Sequence, residues 1–292
     1  MFIATLIAAE RLSGGDISAA EDALRAAGIS PGSRSWVEGD KACDIPFFAD
    51  PVTARTALEG LLAKIDAVVQ PAALRRHKLL IADMDSTMIT VECIDELADY
   101  SGLKAQVSEV TERAMRGEMA FEDALVARIA LLKGLEASAI DRCRAERVRI
   151  TAGARALVRT MRANGALTVL VSGGFTRFAD PVGAEIGFDR VIANRLIVAD
   201  DRLTGEVEPP IVGAESKRAA LVAARVELGV PREATLAVGD GANDIAMLKE
   251  AGLGVAYRAK PAAIAASTAR IEHNDLTALL YAQGYKRGDW ES

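Results

Sequence analysis

The 292-residue chain is half hydrophobic, carries a formal net charge of −6 and contains two histidines and three cysteines. That length suits about two domains with ample apolar material for a core. The mild acidity argues against nucleic acid, no apolar run nears the ~20 residues of a membrane helix, and two histidines exclude a histidine-rich metal site.

Taken in chain order, residues 1–9 are apolar but lack a charged leading segment, so no signal peptide is expected. Residues 1–70 predict a small α+β unit: a strand over 2–8, a helix over 17–27, strands over 33–38 and 43–48, a helix over 52–64 and a strand over 67–69. This β-α-β-β-α-β order suits a ferredoxin-like or ACT-like module. Its glycine-bearing first turn, Ser13-Gly14-Gly15-Asp16, reads as a chain reversal rather than a ligand loop. Pro71 and the basic run Arg75-Arg76-His77-Lys78 read as a solvated linker over 71–77.

From residue 78 the texture changes. Segments 78–82, 166–171, 235–238 and 254–257 have the continuous hydrophobicity of strands buried on both faces. Helical segments between them predict a doubly wound, Rossmann-like parallel sheet over 78–292. The stretch from about 92 to 150 is too long for one crossover helix and predicts an inserted helical cap. A hairpin is expected over 191–207 with Asp200-Asp201 at its turn. Cys43, Cys93 and Cys143 lie far apart without metal-ligand spacing, as reduced thiols of a cytoplasmic protein would.

Walker A, GxGxxG, HExxH and GxSxG patterns are all absent, which leaves carboxylates for chemistry. Three predicted strand ends carry polar clusters: Asp83-Met84-Asp85-Ser86-Thr87, Ser172-Gly173-Gly174 and Gly239-Asp240-Gly241-Ala242-Asn243-Asp244. Singly, each reads as a turn or helix cap. The last resembles a calcium loop, but its twelfth position is Ala251, so the bidentate glutamate of an EF-hand is missing. Jointly they say more. Ligands of open α/β sheets bind beyond the strands' carboxyl ends, and neighbouring strands lie about 5 Å apart. Asp83, Asp85, Asp240 and Asp244 would crowd one pocket and repel unless a cation neutralised them. Few, oxygen-only ligands favour Mg²⁺ together with phosphate oxygens, and Ser172 with the following N–H groups would face the same point.

Asp83-x-Asp85-x-Thr87, Ser172-Gly173-Gly174, Lys217 and Gly239-Asp240-Gly241-x-Asn243-Asp244 resemble the four motifs of the haloacid-dehalogenase-like phosphatases. DMDST with Glu92-Cys93-Ile94-Asp95-Glu96, VSGGF, ANRL and GDGANDI narrows the resemblance to their phosphoserine phosphatase branch, over roughly 79–275. The resemblance implies Mg²⁺-dependent hydrolysis of O-phosphoserine, the last step of serine biosynthesis, through an aspartyl-phosphate. It implies Asp83 as nucleophile and Asp85 as general acid and base. The metal would rest on Asp83, Asp85 and Asp240, with Asp244 supporting. Thr87, Ser172, Gly173 and Lys217 would bind phosphate, while Glu92 and Arg128 would take the substrate's ammonium and carboxylate. Asn243, Met115 and Phe121 would complete the pocket. On the residues alone, Glu92 is equally a first-turn helix acid, and Arg128 an arginine lying along an apolar stripe. Phosphotransfer to an alcohol such as homoserine, another small-molecule phosphatase and a non-catalytic phospho-ligand sensor are the alternatives; intact Asp83 and Asp85 speak against the last. Partners reduce to a small-molecule substrate, with a homodimer left open.

Overall fold

Strand β1 (Phe2–Ala8) is buried along almost its whole length because both faces of its sheet are covered. The structure, a computed structural model, describes residues 1–115, 118–119 and 121–291. The first sheet joins β1, β2 (Ser35–Glu38), β3 (Ala42–Phe47) and β4 (Ile65–Pro71) in the antiparallel order β2-β3-β1-β4. Side chains alternate across it. Ala4, Leu6 and Ala8 join Ile17 and Leu24 of α1 (Gly14–Ala26) and Ala54 of α2 (Pro51–Leu58), whereas Ile7 joins the core of the rest of the molecule. Helix α2 is shorter than expected, because the chain turns extended at Glu59 (ψ 117°), and β4 is correspondingly longer.

The second sheet has seven strands in the order β11-β10-β9-β5-β6-β7-β8. They are β5 (Leu79–Ala82), β6 (Leu167–Phe175), β7 (Arg190–Ala199), β8 (Arg202–Glu208), β9 (Thr235–Gly239), β10 (Leu253–Tyr257) and β11 (Ala269–Ile271). All pair in parallel except β8, which folds back on β7 through Asp200 and Asp201, both at positive φ as a tight hairpin requires. The α/β expectation holds. Two details differ: β11 is an additional strand, and β6 runs on through Ser172-Gly173-Gly174 to Phe175. Between β5 and β6 lie the cap helices α3 (Cys93–Tyr100), α4 (Lys104–Met115), α5 (Phe121–Leu131) and α6 (Ala137–Arg147), then α7 (Ala154–Ala163). Beyond follow α8 (Thr176–Ile186), α9 (Ala214–Leu228), α10 (Ile245–Glu250), α11 (Pro261–Ala266) and α12 (Ala278–Ala282). The cap's roots pair as a short antiparallel bridge, Ile89 against Ile150.

The segment 71–77 is not the solvated tether its charges suggest. Arg75 forks onto Asp44 of β3 (2.6 and 3.1 Å) and also donates to the Ala282 carbonyl, while His77 is buried. Partners distant in sequence hold these charges, so polarity alone misjudges them. Among the described residues no helix is long and apolar enough to cross a membrane.

Candidate active site

Strand β5 is four apolar residues long, and the next residue, Asp83, emerges where β9 and β6 flank it on either side. Its backbone N–H donates to the Val238 carbonyl of β9, which fixes the carboxylate at the sheet's carboxyl edge. The following turn passes through Ser86 at φ 53°, a left-handed conformation costly for a residue with a Cβ. It brings Asp85 onto the same side. There Asp85 accepts from the Cys93 N–H (2.8 Å) and from the Ser172 hydroxyl (3.1 Å). Ser172 in turn accepts the Gly174 N–H (2.8 Å). A Cβ at Gly174 would sit 2.9 Å from the Asp85 carboxylate and 3.0 Å from the Ser172 hydroxyl, so glycine here leaves room for both side chains as they stand.

Lys217, in the first turn of α9, is wholly buried, with its ammonium 2.6 Å from Asp83 and 2.7 Å from Asp244. Burial opposes its charge, yet the two carboxylates prevail and raise its pKa above the ordinary lysine value. Asp244 also accepts the N–H groups of Asp240 (3.1 Å) and Gly241 (3.0 Å), closing the loop after β9 around itself. Asp83, Asp240 and Asp244 each offer a carboxylate oxygen, all within 4.8 Å of one another. Burial first, and Asp244's charge second, push the Asp83 carboxyl well up and Asp240 to about 6. Lys217 touches Asp83 and Asp244, whereas among the described residues Asp240 has only Lys260, at 4.0 Å. An oxygen-only cluster short of positive charge fits a hard divalent cation.

Asp83, Asp85 and Asp240 floor a cavity of about 540 Å³ roofed by the cap, with Lys217 and Asp244 buried beneath them. Glu92 lines its wall and accepts the Ser86 hydroxyl (2.6 Å) through one oxygen, leaving the other without a hydrogen bond among the described residues. Arg128 of α5 also lines it, its Nε donating to the Ala124 carbonyl one turn back (3.2 Å), with no ion pair among the described residues. Burial lowers its pKa against the opposing pull of Asp95, Glu92 and Asp85. Gly173 and Asn243 reach the same cavity. Thr87 is buried behind the turn, its hydroxyl unpartnered among the described residues. The side chains of Met115 and Phe121 lie outside the described residues.

A family model for haloacid dehalogenase-like hydrolases matches residues 80–249, more than half of the chain. The chain is a haloacid dehalogenase-like hydrolase. It is 42% identical over 245 residues to a phosphoserine phosphatase of Streptomyces coelicolor, an alignment covering 83% of this hydrolase and 60% of that protein. The hydrolase therefore spans less than two thirds of that relative's length. Among solved structures, a HAD-family hydrolase of Salmonella enterica serovar Typhi superposes with a TM-score of 0.84 at 27% identity, covering 97% of this chain and 98% of that one. A substrate-bound phosphoserine phosphatase superposes with a TM-score of 0.65 at 37% identity, over 70% of this chain and 97% of the other.

Asp95, Lys260 and Phe175 are among the residues of this hydrolase's cavity that the sequence reading gave no role. Asp95 lies on α3 beside Glu92, and burial raises its carboxyl while Arg128 opposes the rise. Lys260 faces Asp240, and its N–H donates to the Asp240 carbonyl (2.9 Å). Phe175 closes the end of β6. Nearby, the buried Asn194 ties the Gly173 carbonyl to the loop before α9 through the Val212 backbone. Asp95 and Asn194 stand within the stretches that carry the resemblance. The missing signal was the cap's packing, which no local pattern encodes.

Proposed function

We propose that this chain is a Mg²⁺-dependent phosphatase that hydrolyses O-phosphoserine. The observation that carries it is one cavity with two chemically distinct ends: Asp83, Asp85 and Asp240 at its floor, with the buried Lys217 against Asp83 beneath them, and Glu92 and Arg128 on its wall. Phosphoserine presents a phosphoryl group to the first and an ammonium with a carboxylate to the second. The phosphoserine phosphatases among its relatives support the same choice.

Asp83 attacks phosphorus, forming an acyl-phosphate bond as the bond to the serine oxygen breaks. Asp85, whose carboxyl is raised by burial and then by Glu92's charge, carries a proton to that departing oxygen. In the second half a water attacks the same phosphorus, gives its proton back to Asp85 and frees Asp83 and inorganic phosphate. Lys217 offsets charge on Asp83 and on the phosphoryl oxygens, and Ser172 orients Asp85. Mg²⁺ on Asp83, Asp240 and the Asp85 carbonyl, with Asp244 supporting, would supply electrostatic stabilisation of the transferring phosphoryl group when bound. Thr87 and Gly173 belong to the phosphate's surroundings, with Asn243 beside the organic part.

The test is phosphate release from a panel of phosphorylated amino acids and metabolites, with Mg²⁺ and with chelator. Phosphoserine should lead, chelation should abolish turnover and Mg²⁺ should restore it. Arg128→Ala should lower kcat/KM for phosphoserine by about thirty- to several-thousand-fold, far more than for an aryl phosphate without a carboxylate. Equal losses on both substrates would remove the argument for phosphoserine.

A further inference from the structure

A second concavity, of about 420 Å³, lies away from the catalytic cavity, where the end of the cap meets α7 and α8. Arg144, Arg149, Ile150, Arg155, Val182 and Glu185 line it. In a chain of net charge −6, residues 142–162 hold seven arginines and no lysine against one acid, Glu146. Two of the three lining arginines are already engaged. Arg155 pairs with Glu185, and Arg149 donates to the Val148 (2.8 Å) and Glu146 (2.9 Å) carbonyls at the end of α6. Arg144 is different. Its side chain makes no hydrogen bond or ion pair among the described residues, and its Nε is shut off from water without an acceptor. Three guanidinium groups line one cleft with Glu185 as the single carboxylate there, so their mutual repulsion favours an oxyanion, and the unpaired Arg144 guanidinium is the one left to receive it.

We propose that this cleft binds a small phosphate-bearing anion. Guanidinium forks match phosphate oxygens two at a time, which explains arginine rather than lysine, and the volume suits a small metabolite. The site is concave, unlike the extended basic face that a nucleic acid or a membrane requires. It also spans a joint: Arg144 and Arg149 belong to the cap's end and Arg155 to α7 of the sheet domain. The Arg149 carbonyl accepts the Thr90 N–H, and the Thr151 N–H donates to the Met88 carbonyl, both at 3.0 Å, so these bonds form the cap's root. An anion held across the joint ties the cap to the sheet domain. This inference does not depend on the identity of the substrate.

The experiment is equilibrium dialysis of radiolabelled orthophosphate in excess chelator, where the acidic catalytic cavity lacks a cation to hold it. Wild-type protein should show a saturable site, and Arg144→Gln should weaken it about tenfold or more. Arg142→Gln, on the same helix but bonded to Ser138, should bind as wild type does. Should Arg144→Gln fail to fold, Arg144→Lys keeps the charge, loses the fork and should still bind more weakly. Orthophosphate should also slow hydrogen exchange at the Thr90 and Thr151 amides. No saturable binding, or equal binding in the folded Arg144 variants, overturns the site; unchanged exchange at both amides overturns the tie across the joint.

Discussion

Asp83 and Asp85 stand two residues apart yet meet different neighbours, and that difference divides the chemistry. Asp83 is held against a buried ammonium, whereas Asp85 faces a hydroxyl, a backbone N–H and the nearby charge of Glu92. Asp83→Asn should fold and show essentially no turnover, since an amide cannot take its place as nucleophile; near-normal phosphate release would sink the mechanism. Asp85→Asn should slow both half-reactions about 10²- to 10⁴-fold, the range for general acid–base help. His77 offers a test unrelated to catalysis. Burial drives its pKa from 6.5 to about 4, against the opposing bond to Gln283. The folded protein keeps it neutral, while the unfolded chain takes up a proton below 6.5. Its stabilising share is therefore full above pH 6.5 and is lost as pH falls toward 4, by up to about 3 kcal/mol. Urea melts of wild type and His77→Phe at pH 7.5 and 4.5 read this directly. The gap between the two proteins should change with pH in that sense, and a pH-independent gap would refute it.

Elements that depend on their own residues were legible, and those that depend on distant ones were not. Strands β5, β6, β9 and β10 announce themselves as apolar runs, and the catalytic clusters stand at the carboxyl ends of the first three. Strand β11, only Ala-Arg-Ile, looks like loop until β10 and β4 lie beside it. Arg75 read as solvent-facing because Asp44 and the Ala282 carbonyl become its neighbours only after folding. The β7–β8 hairpin was legible through its Asp-Asp turn, and it proves to be more than a connection. Its tip reaches the cap, where Ala137 N–H donates to the Asp201 carbonyl and Gly134 N–H to the Leu203 carbonyl (both 2.8 Å). Both aspartates at the tip occupy left-handed backbone (φ 49° and 59°). The double change Asp200→Asn with Asp201→Gly should therefore stabilise by about 0.5–1 kcal/mol while keeping those backbone bonds. Chemical denaturation measures it; a loss of stability would mean that the aspartate side chains matter at this tip.

At the scale of the whole molecule, the N-terminal sheet is built into the hydrolase. Asp66 of β4 is buried and accepts the N–H groups of Glu272 (2.9 Å), His273 (3.2 Å) and Asn274 (3.0 Å), plus the Asn274 amide (2.8 Å). Gln70 donates to the Ala282 carbonyl (2.7 Å), and Ile7, Val37, Ala42 and Val68 share one apolar core with Leu276, Leu279 and Tyr281. Asp66→Ala strands several buried donors and should cost about 2–4 kcal/mol. A chain beginning at Arg75 keeps every proposed catalytic group but uncovers that core, so it should aggregate or melt well below the full chain. Soluble protein with unchanged melting would show that the joint is dispensable.

The joint also has a timetable. Asp66 and its three backbone donors are separated by 206 to 208 positions. A ribosome working at roughly 5–20 residues per second therefore releases the first sheet roughly 10–40 s before its covering segment exists. Throughout that interval the face bearing Ile7, Val37, Ala42 and Val68 emerges without its partner. Newborn chains of this protein should thus be clients of whatever shields apolar surfaces at the exit tunnel. Arrested nascent chains ending before residue 270 should light up an apolar-surface dye, and release of the full chain from the ribosome should quench it.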